Sequence, residues 1–265
     1  MFLLLFLDIS SVNDSYMLKK ERQTFILHQV NLHNKVLSST LSSEMNVSED
    51  TIRRDLQELS DEGKLIKVHG GALSLSFQNI LPAGEEIYSL KSKRIIAQKT
   101  SSLIKDGMFV LTSGGTTIIE LAKILPHGLK ATFISGSIPA VFEYMKHPGL
   151  DVIMIGDKVS KSSRITVGSD AIQQIRKFKA DLCILGINAI DPKVGITDND
   201  LEVVQVKKAM MESARTVVCV SIKEKLNTIQ PIQICEPSCI DILITEDDPT
   251  DNIFKPYIEA GIRVM

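Results

Sequence analysis

The chain has 265 residues, 44% of them hydrophobic and 23% charged, enough for one small and one sizeable folded unit in a soluble protein. Its formal net charge of −2 points to no particular partner. Cys183, Cys219, Cys235 and Cys239 have no C-x-x-C spacing and no nearby His pair, which sets metal binding aside and reads as reduced core thiols in a cytoplasmic protein without a metal or other cofactor.

Residues 1–16 carry an apolar run, 2–7, that is too short to span a bilayer and has no cationic segment before it, as a signal peptide would. Residues 21–30 then read as a helix with Phe25, Ile26, Leu27 and Val30 apolar, and residues 37–45 as a second, shorter helix. Asn46-Val47-Ser48 is a tight turn whose Ser48 is placed to cap the next helix by accepting a backbone N–H bond from its first turn. In that helix Ile52, Leu56 and Leu59 share one face, which must pack inward and leaves Glu49, Thr51, Arg53, Arg54 and Gln57 pointing elsewhere. Paired arginines and a threonine near a helix start are the residue types that reach phosphates and base edges in a major groove. Gly63 ends the helix, since a residue without Cβ tolerates a left-handed cap.

Residues 65–68 alternate as a strand, His69-Gly70-Gly71-Ala72 form a flexible tip, and residues 73–75 return as a second strand, so that helices, turn and wing occur in order. The cations of residues 17–75, among them Lys19, Arg22, Arg53, Arg54 and Lys67, are matched by acids such as Glu49, Asp50, Asp55 and Glu58. Affinity for a polyanion therefore rests on where the cations sit and on binding by more than one copy, with a clear salt dependence.

Periodicity is lost over residues 74–90, which hold Pro82 and Gly84 and read as a linker. Strand-like runs follow at 109–111, 131–134, 152–155, 182–185, 216–220 and 240–245, alternating with helical stretches at 92–104, 117–125, 139–145, 169–178, 201–213 and 252–260. That alternation predicts an α/β fold, a parallel sheet covered on both faces with ligands at the carboxyl ends of its strands. Polar and small residues collect at those ends. Ser113-Gly114-Gly115-Thr116-Thr117 follows a strand and opens a helix, where hydroxyls and N–H groups donate to an anion. Ser135 and Gly136 repeat the geometry, and Gly156 and Gly186 end two further strands and leave room for a ligand. Each glycine turn by itself is also what an ordinary strand-to-helix connection needs; their convergence on one rim suggests a phosphate-bearing small molecule.

Val47-Ser48, Thr51-Ile52-Arg53-Arg54-Asp55-Leu56 and Val68-His69-Gly70-Gly71-Ala72 resemble the signature of the DeoR family of bacterial transcriptional regulators. The resemblance implies a winged helix-turn-helix over residues 17–75 that binds double-stranded operator DNA, with Thr51, Arg53 and Arg54 as contacts and Ser48, Lys67, His69 and Gly70 completing the DNA-facing set. It implies a linker over 76–90 and an effector-sensing domain over 91–265, similar in architecture to ribose-5-phosphate isomerase, whose effector is a phosphorylated sugar or related metabolite. Met17 to Arg22 resembles the usual start of the family's first helix. Residues 1–16 are then a non-native or disordered extension, the alternative being a weak membrane-associating tail.

The sensor motifs depart from the family pattern. Thr112 and Gly115 stand in Asp-Ser-Gly-Ser-Thr-Thr, Ser135-Gly136 stands for Thr-Asn, Asp157 for a second glycine, and SIKEK at 221–225 for Asp-x-Ser-Lys, with Lys225 as the counterpart of the family lysine. Glu202, Lys207 and Lys208 lie on one helix that the resemblance places at the ligand cleft and that reads equally as a solvated face. His127 and His147 are isolated in loops, and Asp191, Asp198 and Glu202 have no catalytic motif around them. The reading is thus a homo-oligomeric (dimeric or tetrameric) repressor of a carbohydrate-metabolism operon, with no membrane partner and no enzyme activity. A sugar-phosphate isomerase-like enzyme is the alternative.

Overall fold

The computed structural model describes residues 17–75 and 87–265; the expectations placed on residues 1–16 and on linker residues 76–86 lie outside the described residues. The chain divides into two compact units between Leu75 and Ser76.

The first unit comprises α1 (Lys19–His33), β1 (Lys35–Leu37), α2 (Ser38–Met45), α3 (Glu49–Asp61), β2 (Ile66–Val68) and β3 (Gly71–Leu73). α3 forms as its sequence demands: the Ser48 side chain accepts the Thr51 N–H at 3.2 Å, and Ile52, Leu56 and Leu59 are buried against Ile26, Val30, Leu41 and Met45. Burial of such a side chain stabilises by roughly 1.5–3 kcal/mol. Asp55, on the same inward side, is only 2% exposed. It is held by Arg22 of α1, whose Nε and Nη2 donate to its two carboxylate oxygens. That hydrogen-bonded pairing raises the Arg22 pKa against the opposing effect of burial.

Two expectations about the wing are corrected. A strand precedes α2: β1 pairs antiparallel with β3, giving a three-stranded sheet in the order β1-β3-β2. Gly71 and Ala72 belong to β3, opposite Leu37 and Val36, so the turn is confined to His69-Gly70, with Gly70 at φ +77°. The glycine at 71 is required by packing, because a Cβ there would lie 1.9 Å from the Val36 carbonyl oxygen.

The second unit is built on β4 (Phe109–Thr112), β5 (Thr132–Ser135), β6 (Asp151–Met154), β9 (Ala180–Gly186), β12 (Ala214–Val220), β14 (Ile242–Ile244) and β15 (Arg263–Val264). They form a seven-stranded parallel sheet in the order β15-β14-β12-β9-β4-β5-β6. Its helices are α4 (Leu90–Ser101), α5 (Thr116–Ile124), α6 (Ile138–Tyr144), α7 (Ser169–Arg176), α8 (Leu201–Glu212) and the five-residue α9 (Lys255–Glu259). Leu111, Cys183, Leu185 and Cys219 join one core cluster with Ile175 of α7 and Val203, Val206 and Met210 of α8. Val110, Ile184 and Val218, at alternate positions, are also fully buried, so both faces of the sheet are covered, as parallel strands require. Among the described residues no helix is long and apolar enough to cross a membrane.

The alternating pattern did not announce the shorter strands. A hairpin, β7 (Lys158–Ser160) with β8 (Ile165–Val167), follows β6, and β10 (Ala189–Asp191), β11 (Gly195–Asp198) and β13 (Ile232–Cys235) form a small antiparallel sheet. The stretch expected as a helix over 252–260 is a 3-10 turn, Asn252–Phe254, leading into α9.

Because breaking a buried ion pair strands one charge, Asp55→Ala should destabilise the first unit by about 3 kcal/mol, whereas Arg22→Met/Asp55→Leu, which removes both charges, should restore most of that loss. Differential scanning calorimetry of the full chain checks this; equal stability of single and double variants would contradict it.

Candidate functional site

Each unit presents a candidate surface. On the first, Glu49, Asp50, Arg53, Arg54 and Gln57 of α3 are exposed and Thr51 is partly so. The Ser48 and Thr51 hydroxyls lie 2.9 Å apart. Arg53 is engaged within its own helix, Nη1 donating to Asp50 at 3.1 Å and Nη2 to Glu49 at 3.3 Å, while Arg54 has neither hydrogen bond nor ion pair among the described residues. Lys67 of the wing donates to Gln57 at 2.9 Å, and Gln57 donates on to Asp61 at 2.7 Å, which ties the wing to the exposed face of α3. His69 and Gly70 are exposed at the wing's turn. The structure thus brings Ser48, Thr51, Arg53, Arg54 and Lys67 onto α3 and the strand tied to it. The sequence reading overlooked the Arg22–Asp55 pair behind that face; the signal was an aspartate on the side of the apolar stripe.

On the second unit the carboxyl ends of β4, β5 and β9 converge, and much of what was expected there to meet a ligand is engaged internally. The Ser113 hydroxyl accepts the Gly186 N–H at 2.8 Å and donates to the Gly114 carbonyl at 3.3 Å. The Ser135 hydroxyl donates to the Thr112 carbonyl at 2.8 Å and accepts the Ser137 N–H at 3.2 Å. Both serines are buried, and their hydroxyls stitch strand ends together. Gly186 is small for the sake of its neighbour, because a Cβ there would lie 2.8 Å from the Gly114 carbonyl oxygen. A Cβ at Gly114 would meet Ile165 at 2.7 Å, and one at Gly136 would meet Thr166 at 2.3 Å; the hairpin strand β8 sets both. Gly156 has open space beside it, although its N–H and carbonyl are both bonded to the Gln174 amide. Gly115, at φ +114°, is exposed, with Thr116 and Thr117 partly exposed at the uncapped start of α5.

A small pocket is lined by Ser113, Gly114, Ser135, Gly136 and Lys207, together with Ile165 and Thr166 of β8. Gly115, Thr116, Thr117, Gly156, Gly186, Glu202 and Lys225 do not line it. Glu202 is exposed and accepts a bond from Lys158 at 2.8 Å. Lys207 is buried and donates to Asp198 at 2.8 Å, and Asp198 also accepts from Asn199 N–H at 2.8 Å and from Asn188 at 3.4 Å. Against burial, which pushes it up, the Lys207 ammonium and these donors hold the Asp198 carboxyl below its usual range.

Lys225 donates to the Ile187 carbonyl at 3.2 Å. Burial first, then repulsion by Lys93 and Lys207, pushes its pKa down to about 7, in spite of attraction from Asp198 and Glu224. Lys93 of α4, absent from the sequence reading, donates to the Tyr88 carbonyl at 2.6 Å and is pushed down by burial to about 8, with Glu224 and Glu120 opposing. Nothing in the local sequence marks Lys93, since only the fold sets it near Lys225. His127 and His147 are not isolated: their rings stack at 5.9 Å, and His147 bonds the Pro126 carbonyl and the Gly149 N–H, which makes them a loop brace. The Cys183 and Cys219 thiols are buried, and burial pushes both up, so they stay protonated and inert.

The family model described as the DeoR C terminal sensor domain matches residues 89–247, and the DeoR-like helix-turn-helix domain matches residues 22–78. The chain is 30% identical over 251 residues to the HTH-type transcriptional repressor GlcR of Bacillus subtilis, covering 94% of this chain and 96% of that protein. It is 28% identical over 246 residues to the HTH-type transcriptional regulator GolR of Listeria innocua, covering 92% and 97%. It is 24% identical over 249 residues to a putative aga operon transcriptional repressor of Escherichia coli O157:H7, covering 92% and 93%. Ribose 5 phosphate isomerase A from Neisseria gonorrhoeae overlays on 51% of this chain and 52% of its own at a TM-score of 0.38 and 14% identity, a likeness too slight to carry over any chemistry. With a winged helix-turn-helix in the first unit, a parallel α/β sheet in the second and a family match to each, the chain belongs to the DeoR family of DNA-binding transcriptional regulators.

Proposed function

We propose that this protein is a cytoplasmic repressor of a carbohydrate-metabolism operon, holding operator DNA through α3 and the wing of residues 17–75 and releasing or tightening that hold in response to a phosphorylated sugar or related metabolite bound by residues 91–265. Residues 76–90 link the two. The observation that carries the DNA reading is the inward anchoring of α3 by Ile52, Asp55, Leu56 and Leu59, which turns Arg53 and Arg54 outward on the helix whose Gln57 bonds Lys67 of the wing. Relatives that are themselves named repressors, one of them of an aga operon, support the regulatory reading.

The effector reading rests on the cations. Lys225 and Lys93 hydrogen-bond to carbonyls, with Lys207 near enough to repel Lys225, and a phosphoryl dianion among them would supply the charge they lack. The exposed start of α5 at Gly115-Thr116-Thr117 offers N–H groups of the same sense. The enzyme alternative loses ground because its three carboxylates are engaged. Asp191 accepts two backbone N–H bonds in a turn, Asp198 is paired with Lys207, and Glu202 with Lys158. Effector binding shifts operator affinity only by its differential affinity for two arrangements of a dimer or tetramer.

Arg54→Ala should weaken binding to a duplex from the gene's own upstream region by about 1–3 kcal/mol if Arg54 reads a base, measured by fluorescence anisotropy; unchanged affinity would remove Arg54 from the contact list. At the cleft, a bound dianion raises the Lys225 pKa, so binding takes up a proton above pH 7. Affinity for a sugar phosphate should therefore fall as pH rises from about 7 to 9, starting from a lysine that titrates near 7. Calorimetric titration of a sugar-phosphate panel in buffers of different ionisation enthalpy reads the proton directly; Lys225→Met should cut its uptake to the part that Lys93, pushed down to about 8, still contributes.

A further inference from the structure

Two adjacent arginines of α3 stand in opposite states. Arg54 is exposed and unengaged among the described residues. Arg53 is bound one turn back to both acids that open the helix, Asp50 at 3.1 Å and Glu49 at 3.3 Å. All three side chains are open to water, Arg53 at 59%, Glu49 at 46% and Asp50 at 77%. Such pairs are weak and reversible, so they do not anchor the fold. The anchors lie on the other side, in Ser48's cap and the buried stripe of Ile52, Asp55, Leu56 and Leu59.

The first turn of a recognition helix is the part that goes deepest into the groove, between two rows of phosphates. Glu49 and Asp50 occupy that turn with negative charge. A helix selected only for grip on DNA would carry the reverse sign there, since sequence-indifferent affinity comes from neutralising phosphates. The rest of the unit shows the same restraint, because its cations are matched by acids along residues 17–75. Adding two carboxylates and occupying a guanidinium lowers attraction to every duplex alike. A base edge that offers two acceptors to Arg53, as guanine does, repays release of the guanidinium only where it lies at the right place.

We propose that Glu49 and Asp50 are specificity-determining residues that withhold Arg53 from the phosphates of arbitrary duplex and release it only on the operator. The inference rests on the docking of α3 proposed above and adds to it the role of the two acids.

The test uses the full chain, a duplex from the gene's upstream region and a scrambled duplex of the same composition, with anisotropy titrations over a range of salt. Glu49→Gln/Asp50→Asn should raise affinity for the scrambled duplex by about tenfold. It should also steepen the salt dependence by about one unit of slope, the signature of one more neutralised phosphate, and narrow the ratio between the two duplexes. In an Arg53→Gln background the same pair of substitutions should give a clearly smaller gain, about twofold at most, since only the direct repulsion of phosphates by the two carboxylates is then relieved. Unchanged or weaker binding to scrambled duplex would overturn the proposal. So would a gain that survives Arg53→Gln at full size, since the acids would then act by their own charge alone. The single variants Glu49→Gln and Asp50→Asn, with thermal unfolding of each, keep the result readable if losing both acids weakens the helix start. Arg53→Gln/Arg54→Ala separates the two levels: no effect of that double variant on operator binding fails the docking itself, whereas a loss there with no response to Glu49→Gln/Asp50→Asn fails only the role of the acids.

Discussion

The first unit depends on one buried ion pair. Asp55 sits on the inward side of α3 among leucines and an isoleucine, where an unpaired carboxylate would be strongly destabilising, and Arg22 of α1 meets it with two donors in the fork geometry that suits a carboxylate. Desolvation makes the pair of small net worth compared with apolar side chains of the same size, yet losing one partner leaves a stranded charge. The pair therefore acts as a register pin. It admits one rotation of α3 against α1, with Lys19 and Gln23 bonding Glu58 along the same seam. With the inner side settled in this way, the outer side is settled too, and Thr51, Arg53, Arg54 and Gln57 have no course but outward.

A comparable economy governs the sheet unit. At the carboxyl ends of its strands the buried serine hydroxyls are paired with backbone groups of neighbouring strand ends. The glycines there let loops approach within distances that any side chain would forbid. On the effector reading proposed above, what remains for a ligand is charge: Lys225 and Lys93 bonded to carbonyls and Lys207 bonded to Asp198. Polar residues at a strand end are thus of two kinds, those that complete the scaffold and those that the scaffold leaves incompletely neutralised, and residue type alone does not sort them.

The elements most legible in the sequence were those whose pattern is long. The stripe of α3 runs over two turns and its Ser48 cap is local, so both could be read without neighbours. Six strands of the parallel sheet are short apolar runs set between helices, and their order along the chain was plain even where their ends shifted by a residue or two, whereas the two-residue β15 was not read from the sequence. Strands of three or four residues such as β1, β7, β8, β10 and β11 carry too few positions for a period of two to show, and they exist because a distant partner supplies their hydrogen bonds. Gly71 illustrates the limit: it looked like a turn residue and proved to be a strand residue pressed against Val36.

From residue order alone came the family signature, the capped recognition helix, the alternation of strand and helix and the rim of small residues, because each depends on neighbours within a few positions. The partners came only from the fold. Arg22 finds Asp55 across 33 residues, Ser113 bonds Gly186 across 73, and Lys93 is brought near Lys225 by the packing of α4 against the sheet. Burial and charge pairing are properties of points in space, and a linear chain does not state which of its distant segments will share them.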